Sequence, residues 1–268
     1  MTTYPSLEQR VVFISGGGSG IGASLVEHFA QQGARVAFCD IDVAASDALV
    51  ARLAPTCKHT PQFGLCDIRD TAAYQAHLRQ VDAKLGAIRV LVNNAGNDAR
   101  HTLAELTPEY WGNCQALNLK HQVFAIQQVA SGMAASGGGS IINMSSVSWM
   151  RGRANLAGYT TAKAAISGLS RTLARELGEK NIRVNTLVPG AIVTERRRRY
   201  GAIRMKTRSS SRCSASNSDS MRRTLRVPRC SLQRTIRTAS PARTSSLMPG
   251  WRRFRWLVNA KSAPLRKV

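Results

Sequence analysis

The sequence predicts an α/β protein built as a single domain on an open, doubly wound parallel sheet of the Rossmann type. Three observations point to this fold. Six short apolar runs alternate with segments of helical periodicity. A glycine-rich turn follows the first run directly. Polar or glycine-containing motifs follow several later runs, where parallel sheets bind ligands at the carboxyl ends of their strands.

The predicted elements follow one another in a regular order. The first strand, 11–14, contains only Val, Phe and Ile, which is typical of a strand buried on both faces. The helix after it places Leu25, Val26 and Phe29 on one face and ends near Gly33. The other strands are predicted at 35–39, 62–65, 89–92, 140–144 and 183–188, and the other helices at 43–53, 72–85, 108–134 and 157–178.

The turn after the first strand predicts a dinucleotide site. Glycines at such a turn let the backbone approach a pyrophosphate, and the following helix offers free N–H groups at its positive end. A flexible turn is the weaker interpretation in this strand-turn-helix context. The residues concerned are Gly16, Ser19, Gly20, Ile21 and Gly22.

An acidic residue, Asp40, ends the second predicted strand. A carboxylate there can accept hydrogen bonds from an adenosine ribose and would repel a 2′-phosphate, which favours NAD over NADP. A simple solvated carboxylate is the alternative.

The residues with the clearest chemistry lie in the last predicted helix. Positions four apart lie on one helix face, so Tyr159 and Lys163 should point the same way. A free phenol titrates near pH ~10, and a neighbouring cation favours the phenolate. Tyr159 could then take a proton from an alcohol. On its own, such a Tyr/Lys pair is more often exposed on a surface helix. The other motifs of the chain must decide between that interpretation and a catalytic one.

With these motifs together, the chain resembles the classical short-chain dehydrogenases/reductases over about residues 8 to 195. The matching signatures, in the family's order, are the glycine motif at 16–22, Asp67-Ile68, Asn94-Ala95-Gly96, the Ser/Tyr/Lys set and Pro189-Gly190. The resemblance implies a catalytic tetrad of Asn118, Ser146, Tyr159 and Lys163. Ser146, and not Ser145, lies 13 residues before Tyr159, as the family serine does.

The resemblance also implies the roles of these residues. Tyr159 would be the general base, Ser146 would hold the reacting oxygen, Lys163 would lower the tyrosine pKa and hold the nicotinamide ribose, and Asn118 would bind a relay water. The implied NAD contacts are Gly16, Ser19, Gly20, Ile21, Gly22, Asp40, Asp67, Ile68, Asn94, Ala95, Gly96, Tyr159, Lys163, Pro189, Gly190, Ile192 and Thr194.

The loop after the fourth strand bears on the substrate. Asn97-Asp98-Ala99-Arg100-His101, with Ser148-Trp149, resembles the bacterial D-xylose and D-galactose dehydrogenases, which oxidise an aldose at C1 to a lactone. The expected sugar contacts are Asn97, Asp98, Arg100, His101 and Trp149. A loop that merely caps the strand is an equal alternative. A reductase of keto-acyl or steroid substrates would share the tetrad and differ only in the pocket.

The charge of the chain is concentrated at its C-terminal end. The net charge is +23, of which residues 1–195 contribute +3 and residues 196–268 contribute +20. We therefore divide the chain into a nucleotide-binding catalytic part, 1–195, and a basic Arg/Ser-rich tail, 196–268. The tail contains few large apolar residues, so we expect it to be disordered. A tail that binds nucleic acid non-specifically is the rival interpretation; no specific nucleic-acid partner is predicted.

The tail also lacks the family's closing elements, a substrate lid and a seventh strand. If the codons for Ser246 to Gly250 are read one base out of frame, they permit Val-Asp-Ala-Gly, the motif that the family has near that strand. The alanine is required, because the codons of Met248 and Pro249 give GCC in that frame. We therefore hypothesise a frameshift between about Arg196 and Tyr200. If the tail is genuine, the seventh strand is missing or disrupted and the sheet exposes an edge.

The remaining expectations concern the environment of the protein. The six cysteines show neither metal-ligand spacing nor a disulfide framework, so we expect reduced thiols and no metal. The N-terminus lacks the pattern of a signal peptide, and no apolar run is long enough to span a membrane, so a cytoplasmic protein with a small-molecule substrate is predicted. The family resemblance implies a homo-oligomer, commonly a tetramer, if the C-terminal part is intact.

Overall fold

The computed structural model describes residues 3–192. Six strands alternate with helices along this part of the chain. The strands are β1 Val11–Ser15, β2 Arg35–Asp40, β3 Gln62–Leu65, β4 Val90–Asn93, β5 Gly139–Met144 and β6 Ile182–Leu187. The α-helices are α1 Gly20–Gln31, α2 Val43–Leu53, α3 Thr71–Leu85, α4 Pro108–Gln115, α5 His121–Ala135 and α6 Ala157–Glu176.

The strands form one parallel sheet in the order β3-β2-β1-β4-β5-β6. The chain winds outward from β1 in one direction through β3 and in the other through β6. The registers align Ser15 at the end of β1 with Cys39 of β2 and Asn93 of β4. The carboxyl ends of the central strands therefore meet at one edge, at the point where the strand order reverses. The predicted doubly wound fold is confirmed.

The apolar runs of the central strands form the core. Phe13, Leu91 and Ile141 have no exposed surface. Leu78 of α3 and Met133 of α5 are also fully buried and belong to the same apolar cluster. This two-sided burial explains why the strands are continuous apolar runs.

Three helices begin where the sequence supplies a capping side chain. The side chains of Asp42, Asp70 and Thr107 accept hydrogen bonds from backbone N–H groups in the first turns of α2, α3 and α4. Each cap satisfies a donor that has no partner within the helix, so the start of the helix is fixed by one residue. The predicted starts of these helices agree with the structure to within one residue.

The continuous helix predicted at 108–134 is wrong in one respect. A π-helical segment, Ala116–Lys120, separates α4 from α5, and Asn118 lies in the middle of it. The Asn118 Nδ2 donates to the Cys114 carbonyl at 3.0 Å, so a side chain takes up a carbonyl in the region where the α-helical pattern is interrupted. Single π turns of this kind occur frequently at functional sites.

Several other expectations can be compared with the described residues. Within 3–192, Cys39, Cys57, Cys66 and Cys114 are free thiols, and no cluster of metal-ligating side chains is present. No helix in the described part of the chain is long and apolar enough to cross a membrane. Thr194, the seventh strand and the basic tail lie outside the described residues.

Candidate active site

The glycine turn between β1 and α1 is closely packed against the strands beside it. Gly16 has a φ of +67°, and a Cβ there would lie 2.8 Å from the Cα of Ala95. A Cβ on Gly22 would lie only 1.8 Å from the carbonyl oxygen of Gly16. Neither position can carry a side chain without a shift of the backbone. Ser19 precedes α1 without a capping side-chain bond, so N–H groups of the first turn are left for another acceptor.

The carboxylate of Asp40 lies beside this turn at the end of β2. Its Oδ2 accepts a hydrogen bond from the Gly18 N–H at 2.8 Å. Its Oδ1 accepts from the N–H groups of Ile41 and Asp42 at 2.8 and 3.1 Å. The negative charge is therefore fixed next to the glycine turn, where the sequence predicted a ribose.

Asn94 ties the end of β4 to the glycine turn. Its Nδ2 donates to the carbonyl oxygens of Ser15 and Gly16, at 3.1 and 2.8 Å. The Ser15 hydroxyl in turn accepts from the N–H groups of Asn94 and Ala95. These bonds hold the ends of β1 and β4 in one rigid unit.

Asp67 and Ile68 follow β3 at the same edge of the sheet. The Ile68 side chain is buried, whereas Asp67 pairs with Arg69 at 2.6 Å. The hydrogen bond from Arg69 lowers the pKa of the Asp67 carboxyl, so this group is ionised at neutral pH.

The structure separates the roles of the two serines after β5. The Ser145 hydroxyl is buried and donates to the Lys163 carbonyl at 2.6 Å, which anchors α6 to the end of β5. The Ser146 hydroxyl instead lies 3.0 Å from the Ser148 hydroxyl and accepts from the Ser148 N–H at 3.1 Å. Of the two, only Ser146 is not committed to the backbone of α6.

Tyr159 and Lys163 lie one turn apart on α6, as their spacing predicted. The Lys163 Nζ is 5.6 Å from the centre of the Tyr159 ring. It donates to the Met144 carbonyl at 2.8 Å, at the end of β5. The amine is thus held beside the phenol and cannot extend into solvent.

Asn118, in the π segment, lies close to Lys163 and Gly96. Its Oδ1 accepts the Asn97 N–H at 2.9 Å. A Cβ added to Gly96 would lie 2.9 Å from this oxygen and 3.2 Å from the Lys163 Nζ. Gly96 is therefore packed closely against Asn118 and Lys163, and a larger residue there would have to displace them.

Burial controls the charges in this pocket. Lys163 is only 3 % exposed, and the loss of solvent lowers the pKa of its amine to about 8. His121, one residue beyond the π segment, is also buried, which lowers its pKa to about 3 with a further contribution from the Lys163 charge. His121 is therefore neutral at physiological pH. Burial raises the pKa of the Cys114 thiol, so that group is protonated there.

The residues expected to contact a substrate do not all lie in the same environment. Asp98 and Arg100 are exposed, and Asn97 is half-buried. Trp149 is half-buried, and its indole N–H has no acceptor within the described part of the chain. His101 is different, because it is 5 % exposed and both ring nitrogens contact protein atoms.

Pro189, Gly190 and Ile192 continue from β6 at the same edge. The Pro189 carbonyl accepts from the Val147 N–H at 3.2 Å, which joins this segment to the serine turn. Thr194, expected to continue the cofactor site, lies outside the described residues.

Sequence reasoning missed several residues that support the site. The contact of Ser148, which the sequence placed only in the substrate stretch, with Ser146 is one example, and Cys114 is another, with its Sγ 3.6 Å from the Asn118 Nδ2. Tyr110 and Gln115 contact the loop after β4 and the start of α6. The spacing of four between Cys114 and Asn118 was the one available signal, since it places both on one helix face.

A family model described as short chain dehydrogenase matches residues 10–203. The chain is 48% identical over 196 residues to a protein of Rhizobium meliloti (strain 1021) named "Probable galactose dehydrogenase GalD"; the match covers 73% of this chain and 77% of that protein. It is also 48% identical over 197 residues to a D-xylose 1-dehydrogenase of Caulobacter vibrioides. That match covers 74% of this chain and 77% of the relative.

Solved structures share the fold. A protein from Burkholderia xenovorans, described as a short-chain dehydrogenase/reductase, superimposes with a TM-score of 0.67 and 31% sequence identity. The superposition covers 71% of this chain and 74% of that chain.

Proposed function

The chain belongs to the short-chain dehydrogenase family and is an oxidoreductase, and we propose that it oxidises the C1 hydroxyl of an aldose to a lactone with NAD as hydride acceptor. The observation that carries the proposal is the position of Lys163, whose amine lies 5.6 Å from the centre of the Tyr159 ring and, together with Asn118, next to Gly96. Ser146 follows β5 at the same edge of the sheet.

The aldose is supported by the relatives and by the polarity of the substrate loop. Two relatives that are 48% identical carry names that specify galactose and D-xylose as their substrates. Asn97, Asp98 and Arg100 are polar groups of the kind that recognise several hydroxyls at once. Trp149, which is half-buried, is the aromatic residue that we assign to the sugar.

The residues at the glycine turn fit a dinucleotide. Gly16 and Gly22 approach neighbouring backbone so closely that only glycine fits the tight turn between β1 and α1. The uncapped first turn of α1 presents N–H groups suited to a pyrophosphate. The Asp40 carboxylate favours a free ribose 2′-hydroxyl over a phosphate, since two negative charges would repel each other. When bound, NAD would accept the hydride.

Within this proposal, Tyr159 acts as the general base. It takes the proton from the substrate hydroxyl as the carbonyl forms. Lys163 supports the phenolate electrostatically from its fixed position below the ring, 5.6 Å from the ring centre. The Met144 carbonyl fixes that position, because it accepts the Lys163 hydrogen bond.

Ser146 and Asn118 complete the site. The Ser146 hydroxyl would orient the reacting oxygen. The Ser148 hydroxyl, 3.0 Å away, would hold the Ser146 side chain in its rotamer. The Asn118 side chain binds the Asn97 N–H and the Cys114 carbonyl, which fixes its orientation. Asn118 is the residue that we assign to a relay water.

A substrate panel tests this proposal. NADH formation would be followed by absorbance with D-xylose, D-galactose and other aldoses, and the reverse reaction with an acetoacetyl thioester and a ketosteroid. We expect turnover of aldoses only. A preference for the thioester or the steroid would replace the proposal with the keto-reductase alternative.

The cofactor preference has a separate test at Asp40. Asp40→Asn removes the negative charge, so we expect the ratio of kcat/KM for NAD to that for NADP to fall by about tenfold or more. Asp42→Asn is the matched control, because Asp42 caps α2 two residues later. An unchanged ratio in Asp40→Asn would contradict the role given to this carboxylate.

A further inference from the structure

Helix α6, which carries Tyr159, begins without a cap of its own. Its N-cap residue, Leu156, has no side-chain hydrogen bond to the first turn. The N–H of Gly158, the residue directly before Tyr159, instead donates to the Nε2 of His101 at 3.2 Å. A histidine 57 residues earlier in the chain thus does what a Ser or Asp does at an ordinary helix start.

Gly158 is also held on its other sides. The Gln115 Nε2 of α4 donates to the Gly158 carbonyl at 3.0 Å. A Cβ on Gly158 would lie 2.9 Å from the Cys114 Sγ, so the helix start packs directly against α4. The peptide groups on both sides of this residue are fixed by side chains distant in sequence, and Tyr159 is the next residue.

The contacts of His101 define its protonation. Because the Gly158 N–H is a donor, Nε2 must offer its lone pair, and the proton of the neutral ring must be on Nδ1. Nδ1 is 3.1 Å from the Tyr110 hydroxyl, which accepts the hydrogen bond from the Nδ1–H and donates one to the Ala99 carbonyl at 3.4 Å. The chain of donors is consistent from end to end, and it leaves no ring nitrogen for a substrate.

We infer that His101 is a positioning residue, which caps α6 from outside the helix and thereby sets the position of Tyr159, and that it is not a sugar contact. The inference deepens the proposed function and rests on it for its effect on turnover. Its structural part, the cap on the Gly158 N–H, does not depend on any substrate.

Three substitutions separate the cap from other roles of the ring. A Gln at position 101 can place its Oε1 near the position of Nε2, whereas Asn is too short to reach Gly158 and can replace only Nδ1. Ala removes both contacts. Because misplacing a catalytic group lowers turnover more than ground-state binding, we expect His101→Ala and His101→Asn to lower kcat about 10- to 100-fold, with the aldose KM within about threefold of wild type.

We expect His101→Gln to recover most of the lost kcat. His28→Ala is the control, because His28 is an exposed histidine on α1 that also contacts a main-chain oxygen. A rise of the aldose KM with unchanged kcat in His101→Ala, or no difference between Gln and Asn at this position, would overturn the inference.

Amide hydrogen exchange tests the cap without substrate. In the full chain, peptides that contain the first turn of α6 should exchange at least about tenfold faster in His101→Ala and His101→Asn than in wild type, while peptides of α1 should not change. Exchange in the α6 peptides that is the same in all variants would refute the cap. If wild type oxidises no aldose and the exchange result still holds, the proposed function fails and the cap stands.

Discussion

At the scale of single residues, Lys163 shows how the site opposes stability. The amine is buried, and the Met144 carbonyl is its one hydrogen-bond partner within residues 3–192. Burying a charge with so little compensation destabilises the folded state and lowers the pKa of the amine from 10.5 to about 8. The proposed function explains why the residue is kept there, since a cation beside the Tyr159 ring favours the phenolate.

Lys163→Met should therefore stabilise the protein and inactivate it. Below pH 8 both the folded and the unfolded wild type carry the Lys163 proton, so the full penalty of burial applies. Between pH 8 and 10.5 the unfolded state binds a proton that the folded state has lost, so the penalty falls as the pH rises. We expect the variant to exceed wild type in free energy of unfolding by roughly 1–3 kcal/mol at pH 7, and by less at pH 10.

Denaturant unfolding at both pH values measures this difference. Only the comparison between variants is informative, because burial also raises the pKa values of Cys39 and Tyr74 and gives them an opposite dependence on pH. Lys84→Met, on the exposed face of α3, is the control and should change neither stability nor its pH dependence appreciably. A Lys163→Met variant that is less stable than wild type at pH 7 would contradict this account of the buried charge.

At the scale of elements, glycine-to-alanine substitutions should change stability in opposite directions in the glycine turn and inside α6. Gly22→Ala forces the Gly16 carbonyl away from a Cβ that would lie 1.8 Å from it, so we expect lower stability and at least about tenfold weaker NAD binding. Gly168→Ala, inside α6, meets no atom within 4 Å and should stabilise the protein by roughly 0.5–1 kcal/mol. Thermal unfolding and NAD titration measure both effects. Equal NAD affinity in Gly22→Ala and wild type would exclude this turn as the pyrophosphate site.

The elements also show what the sequence could predict and why. The strand at 35–39 was predicted to within one residue because its interior is a buried apolar run. The strand at 62–65 is only partly buried, and its ends agree with the prediction. Tyr159 and Lys163 were predictable as a pair because their contact is local to one helix. The π segment around Asn118 was not, since the Asn118 side-chain bond to the Cys114 carbonyl that accompanies it leaves no periodic pattern in the sequence.

The contacts around Gly158 were beyond prediction for a different reason. His101 and Gln115 lie 57 and 43 residues away from it in sequence. No local pattern reports such a contact, and both residues are polar types that also occur in exposed loops. His101 was expected to contact a sugar because the stretch from Asn97 to His101 resembles that of sugar dehydrogenases. Its burial and the partners of both ring nitrogens support the alternative.

At the scale of the whole molecule, the distribution of charge sets residues 196–268 apart. They contribute +20 of the net charge of +23, and the matches to relatives account for 196 or 197 of the 268 residues. We propose that a frameshift between about Arg196 and Tyr200 produced the amino-acid sequence of this tail. Resequencing the DNA across these codons should reveal a missing or extra base, and restoring the frame should raise aldose turnover. An intact written frame would refute the proposal.

The rival explanation, a basic tail that binds nucleic acid, makes a different prediction. Counterion release would make DNA retention by the full chain fall steeply with salt, and a chain ending at Glu195 would show no retention. We expect no such retention by the full chain. Retention of DNA that falls steeply with salt and is absent from the chain ending at Glu195 would favour the rival.

The central claim is that Tyr159 removes the proton from an aldose hydroxyl, and one variant tests it most directly. Tyr159→Phe keeps the ring beside Lys163 and removes only the phenolic oxygen. Measured in the reading frame that the DNA supports, NADH formation from D-xylose or D-galactose should fall by about 10²- to 10⁴-fold, while NAD affinity stays within about twofold of wild type. Turnover at the wild-type rate in Tyr159→Phe would contradict the mechanism.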